Sequence, residues 1–203
     1  MVYSTDSDVI FIVPPKGIVN QSAGCLKRHK ADFYFWSFGG GTFMFDKFTE
    51  ETQFRAGNGE LVTLKEVVAR INEYVKDYEY AIEVGTDSQT NDKTKFVTAI
   101  VVRRVGRGGI FFYHGNTQPK IHTLRERIHA ETQLSVDLAN LVIDLFLDSG
   151  EMHEIEIHCD VGEYGKTRSL IREVTGYVTA MGFDCKVKPD SYAASSIADK
   201  FSK

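Results

Sequence analysis

The chain has little cysteine, no surplus of positive charge and no long hydrophobic run. Its three cysteines, Cys25, Cys159 and Cys185 among 203 residues, form no CxxC pair and cannot all bond to one another. That excludes a disulfide scaffold and a zinc ribbon, and makes a reducing cytoplasm the expected compartment. With 24 Lys+Arg against 28 Asp+Glu the formal net charge is −4. A histone-like wrapper is excluded, because non-specific DNA affinity needs clustered cations to displace counterions. The apolar stretch over residues 9–13 stops at Pro14-Pro15. It is too short to span a bilayer and lacks the basic flank and cleavage site of a signal peptide, so no membrane partner is expected. What remains is 42% apolar and 26% charged, enough for a real core in one domain with an appendage.

Residues 1–60 differ in texture from the rest. They carry the basic run Lys27-Arg28-His29-Lys30, then Phe33, Tyr34, Phe35, Trp36 and Phe38, a Gly39-Gly40-Gly41 turn, and Phe43, Phe45 and Phe48. Two short strands around the glycines are expected, in an extension or arm over 1–60 beside a main domain over 61–203. Cations next to aromatics can stack nucleic-acid bases, but so many aromatics favour burial as a satellite cluster.

The main domain is more regular. Thr63-Leu64-Lys65-Glu66 is a capping box, and Leu64, Val67, Val68, Ile71, Val75 and Tyr78 mark one face of a leading helix over 63–78. Strict alternation predicts strands over 80–87, 96–102 and 110–113, the last two joined by a glycine-rich turn. A second capping box, Thr123 and Glu126, opens a helix to about residue 148. Strand 154–160, helix 167–181, strand 183–188 and helix 191–201 follow. The order β-β-β-α-β-α-β-α implies an antiparallel meander followed by parallel crossovers, hence an α/β fold with a mixed five-stranded sheet flanked by helices.

Four carboxylates fall at chemically useful points of that order. Asp87 ends the first strand in Gly85-Thr86-Asp87-Ser88-Gln89, where an Asp can equally open a turn. Glu131 shares the register of Leu124, Ile128, Ser135, Leu138, Val142 and Leu145, the core stripe of the long helix. A carboxylate there needs a metal, a cation or hydrogen bonds to offset desolvation. Asp160 ends the fourth strand, where ligands gather in α/β sheets. Asp199 lies on the polar side of the last helix; its competitor Asp190 follows Pro189 and suits an N-cap. Together the four can hold two divalent cations for phosphodiester hydrolysis, and all-oxygen donors suit Mg²⁺ or Mn²⁺. Gly162-Glu163-Tyr164-Gly165-Lys166-Thr167 imitates a P-loop, but Asp160 stands where its first glycine belongs, and a carboxylate opposes phosphate binding.

Gly85-Thr86-Asp87-Ser88-Gln89, the helix from Leu124-Arg125-Glu126-Arg127 to Glu131-Thr132, the strand Ile157-His158-Cys159-Asp160 and the terminal Ala193-Ala194-Ser195-Ser196-Ile197-Ala198-Asp199-Lys200 resemble the bacterial YkuK family. That family is a domain of unknown function regarded as a predicted ribonuclease H-like nuclease. The resemblance runs from about Phe48 to the C-terminus. It implies a ribonuclease H-like fold and suggests Asp87, Glu131, Asp160 and Asp199 as the acidic set. Thr86-Asp87-Ser88 is also similar to the Thr-Asp-Gly-Ser of other ribonucleases H, with the glycine missing.

The expectation is a cytoplasmic, metal-dependent nuclease acting on RNA, DNA or a hybrid with two Mg²⁺ or Mn²⁺ ions. Asp87, Glu131, Asp160 and Asp199 are its catalytic metal ligands, and Ser88, Arg125, Lys166 and Arg168 its substrate contacts. Arg103, Arg104 and Arg107 are expected to extend a basic track around the site. The alternative is a catalytically inactive fold that binds nucleic acid or protein. His122, His129 and His158 are left out of the site. A zinc site from His158, Cys159 and Cys185 is excluded because adjacent strand residues point to opposite faces.

Overall fold

The structure is a computed structural model that describes residues 41–202 without interruption and, before them, residues 2–4, 10–12 and 33–38; side chains are described over 46–191 and 196–202. The chain divides into two compact units, 1–47 and 48–203. In the first, β1 (Val2–Ser4) pairs antiparallel with β2 (Ile10–Ile12). The aromatic block forms a second hairpin, with β3 (Phe33–Phe38) antiparallel to β4 (Gly41–Asp46). Pro14, Pro15, the basic run 27–30 and the turn residues Gly39 and Gly40 lie outside the described residues. So do the side chains of Phe33, Tyr34, Phe35, Trp36, Phe38, Phe43 and Phe45, seven of the eight aromatics expected to form a satellite cluster.

The second unit begins earlier than residue 61. β5 (Gln53–Ala56) and β6 (Leu61–Thr63) pair with each other, and Arg55 and Ala56 pair with Tyr113 and Phe112 of a later strand. Residues 48–60 thereby join the main sheet and its core, through Phe48, Phe54 and Ala56. Segments this short carry too little alternation to announce themselves. α1 (Leu64–Val75) follows from the first capping box, in which Glu66 N donates to Thr63 Oγ1 at 3.2 Å and Thr63 N donates to Glu66 Oε2 at 2.7 Å. It stops before residue 78 because Asp77 turns left-handed, φ 64°.

The meander consists of β7 (Tyr80–Thr90), β8 (Lys93–Arg104) and β9 (Gly109–Pro119), each longer than alternation alone indicates. α2 (Leu124–Asp148) carries the second capping box. β10 (Ile155–Gly162), a 3-10 turn over Arg168–Leu170, α3 (Ile171–Ala180), β11 (Asp184–Lys188) and α4 (Tyr192–Ser202) complete the chain. The sheet has seven strands rather than five, in the order β11-β10-β7-β8-β9-β5-β6. β11, β10 and β7 run parallel, and the meander is antiparallel.

The strand period separates two faces. Thr86 and Ser88 meet Ser135 and Glu131 of α2 on one face, while Asp87 meets Ser202 of α4 on the other. The core lies largely under α1 and α2, where Ile71, Ile82, Ile100, Leu138, Phe146 and Ile157 are fully buried. On the α4 face, Val97, Ala99 and Ala198 pack with Tyr113, Ile197 and Phe201, whose ring stacks on Tyr113 at 4.0 Å between centroids. Leu138→Ala is expected to cost about 3 kcal/mol and the cap deletion Thr123→Ala about 1 kcal/mol, read by urea denaturation. A Leu138 loss no larger than the cap's would contradict this packing.

Candidate active site

Pairing between β7 and β10 stops short of their carboxyl ends. The register runs from Ile82↔Ile155 to Gly85↔His158 and goes no further, and the β10–β11 register shifts between His158 and Gly162. Asp87 and Asp160 stand two residues beyond the last pair on their own strands, on the same face. A crevice at the carboxyl ends of parallel strands is where open α/β sheets bind ligands. Because neither edge is paired here, groups from both sides of the sheet can enter. α2 brings Glu131 from one side and α4 brings Asp199 from the other.

Burial and mutual repulsion set the charge state. Glu131 is buried on α2, and Ser88 Oγ donates to its Oε1 at 2.6 Å. Its pKa is pushed up to about 8, first by desolvation and then by the charges of Asp87 and Asp160, against Ser88 and Arg127. Asp87 is also raised, chiefly by desolvation, with Asp160 and Asp199 adding to it. Ser202 Oγ opposes that shift by donating to Asp87 Oδ2 at 2.7 Å. Asp160 is held by the Lys188 ammonium. Electrostatics therefore link Asp87 to each of the other three acids, while Asp199 acts on Asp87.

Their donors are all oxygen, the chemistry of a hard divalent cation. Burial favours the protonated form of Glu131, so a bound cation would stabilise its carboxylate, and Lys188 already pairs with Asp160. On both counts the residues fit Mg²⁺ or Mn²⁺. Among the described residues, however, no three His, Cys, Asp or Glu are already arranged to hold a metal ion.

The ribonuclease H-like family model matches residues 66–203. The chain belongs to the ribonuclease H-like family. It is also 39% identical over 159 residues to an uncharacterized protein, YkuK, of Bacillus subtilis (strain 168), covering 70% of this chain and 92% of that protein. No solved structure matches.

Within this ribonuclease H-like domain the other expected contacts scatter. Ser88 is buried against Glu131 and positions it. Arg125 turns to Glu173 on α3, at 3.0 Å, where His129 also pairs. The guanidinium that reaches the site is Arg127, one turn before Glu131 on α2, donating to Ser88 O at 3.1 Å. Lys166 and Arg168 lie exposed after β10. The basic track does not form. Arg103 pairs with Ala81, six residues and about 20 Å from Asp87 along β7. Its guanidinium binds the fully buried Glu83, and Arg104 covers the Tyr74 and Tyr78 rings. Asp190 is not the cap of α4, which starts at Tyr192 and leaves Ser191 in that place. His158 is buried between Glu83 and Glu156, at 3.6 and 3.5 Å.

Four contacts in and behind the site are not apparent from the sequence: Lys188, Ser202, Arg127 and the buried Glu83. Only Arg127 carries a usable signal, its i−4 spacing to Glu131. No helix among the described residues is long and apolar enough to cross a membrane.

The raised Glu131 makes a signed prediction. Between its ordinary 4.5 and about 8, the folded protein keeps a proton that the unfolded chain releases, so stability falls as pH rises through that window. In metal-free buffer, Glu131→Gln is expected to match wild type near pH 5 and exceed it by a few kcal/mol near pH 8.5, read by thermal unfolding. A difference independent of pH would contradict the buried, uncompensated carboxyl.

Proposed function

We propose that this chain is a metal-dependent nuclease that hydrolyses phosphodiester bonds in nucleic acid. The observation that supports it best is the electrostatic link of Asp87 to Glu131, Asp160 and Asp199 where β7 and β10 cease to pair with each other, with burial and repulsion pushing Glu131 up to about 8. Such a site is short of positive charge, and its oxygen donors select hard cations. Asp87 and Asp160 would be the central ligands of two Mg²⁺ or Mn²⁺ ions, with Glu131 and Asp199 supporting one each. When bound, such ions lower the pKa of water and stabilise charge on the departing oxygen.

The chain's own groups prepare the site. Ser88 fixes Glu131 and Ser202 fixes Asp87, each by one hydroxyl donor. Arg127 holds the backbone of Ser88 and thereby the β7 end. Lys188 neutralises Asp160 and would give way to a divalent cation held there. In-line attack by water leaves a 5′-phosphate and a 3′-hydroxyl. The free thiols of Cys159 and Cys185 are consistent with work in the reducing cytoplasm.

A non-catalytic binding module is the second reading, favoured by the lack of a ready-made metal group among the described residues. Purified protein assayed on RNA, DNA and hybrid strands with Mn²⁺ separates the two. Cleavage that falls by roughly two orders of magnitude or more in Asp87→Asn, given the several kcal/mol that a catalytic metal supplies, supports the nuclease. Activity that survives Asp87→Asn sinks this site. Mn²⁺ is also expected to raise the unfolding temperature of wild type and not of Asp87→Asn.

A further inference from the structure

The loop leaving β10, the strand that carries Asp160, presents an aromatic ring to solvent. Tyr164 lies four residues past Asp160 and is 94% exposed. Water contact on both faces of a phenol ring forgoes burial that most tyrosines obtain. Among the described residues, the other exposed large aromatic, Tyr78, is 37% exposed and has Arg104 over its ring at 3.8 Å. Among the described residues, Tyr164 has no ring partner.

The loop has a defined shape. Gly162 N donates to Thr167 Oγ1 at 3.2 Å, which ties its two ends together. Gly165 sits at φ +100°, a conformation that resists a side chain, and a Cβ on Gly162 would meet Lys188 Cβ at 3.1 Å. Tyr164 projects from between these two glycines. Two residues on is Lys166, and four on is Arg168, both exposed and neither in an ion pair among the described residues. Their neighbour Glu163 pairs with neither. By contrast Arg103, Arg125, Lys186 and Lys188 are each engaged by a carboxylate.

We propose that Tyr164, Lys166 and Arg168 form a binding platform for single-stranded nucleic acid: an unpaired base stacks on the Tyr164 ring while Lys166 and Arg168 hold the flanking phosphates. An aromatic face with adjacent cations is the chemistry of single-strand recognition. Bases inside a duplex are already stacked on their neighbours and offer no face to the ring, which selects unpaired strands. The loop begins just beyond Asp160, so a strand gripped there leads its backbone toward the carboxylates. This inference rests on the nuclease reading and narrows it, naming the strand form that the site takes.

The test uses full-length protein carrying Asp87→Asn to suppress cleavage, with fluorescence anisotropy on a labelled RNA of about 12 nucleotides, alone and annealed to its complement. Tyr164→Ala is expected to weaken single-strand binding about tenfold, Tyr164→Trp to restore it, and duplex binding to stay unchanged. Lys166→Ala and Arg168→Ala should each reduce the salt slope by about 0.7. The exposure of Tyr164 leaves folding intact, which an unchanged unfolding temperature verifies. Single-strand affinity indifferent to Tyr164→Ala, or an equal loss on the duplex, overturns the platform and leaves the nuclease reading standing. Absence of binding to both forms overturns platform and nucleic-acid reading together. Tyr164-dependent binding by a wild type that cleaves nothing keeps the platform and overturns the nuclease.

Discussion

Repulsion among carboxyl groups at the open end of the β7–β10 pair governs the site and everything arranged around it. A buried Glu on a core stripe is costly, and a second and third acid nearby make it costlier. The fold offsets this with a set of local devices. Glu131 keeps its proton up to about 8, Ser88 and Ser202 each donate to one acid, and Lys188 sits on Asp160. Every device weakens the repulsion without removing an acid. A domain selected only for stability would have placed apolar residues there, since replacing buried charge by packing is often favourable.

The surrounding architecture serves that crevice. Loss of pairing beyond Gly85 and His158 opens the sheet, and the period-2 pleat then puts Asp87 and Asp160 on one face while α2 approaches from the other. α4 is anchored by apolar contact to Val97, Ala99 and Tyr113, far enough along that Ser202 reaches Asp87. The buried Glu83 with Arg103 and His158 lies further back on the face that carries Asp87. That cluster absorbs an arginine which composition alone assigns to the substrate.

Much of this is legible in the order of amino acids. Two capping boxes locate the starts of α1 and α2, and the core stripe of α2 singles out Glu131 by register. Strand alternation finds the meander and the two parallel strands. β5 and β6 escape it because three or four residues carry no period. Arg125 and Arg127 both flank Glu126, and only the i−4 spacing of Arg127 to Glu131 sets them apart in sequence. Their roles diverge because α3 places Glu173 beside one and the end of β7 lies beside the other.

The order of the longer elements from α1 onward and the α/β class follow from the chain alone, because helix and strand periods are local properties. Folding settles the rest: which cations meet the acids, where the sheet stops pairing and how far each carboxyl is driven from its ordinary pKa. Those quantities depend on residues such as Asp87 and Ser202, or Asp160 and Lys188, that are distant in the chain and become neighbours only when the sheet closes under its helices.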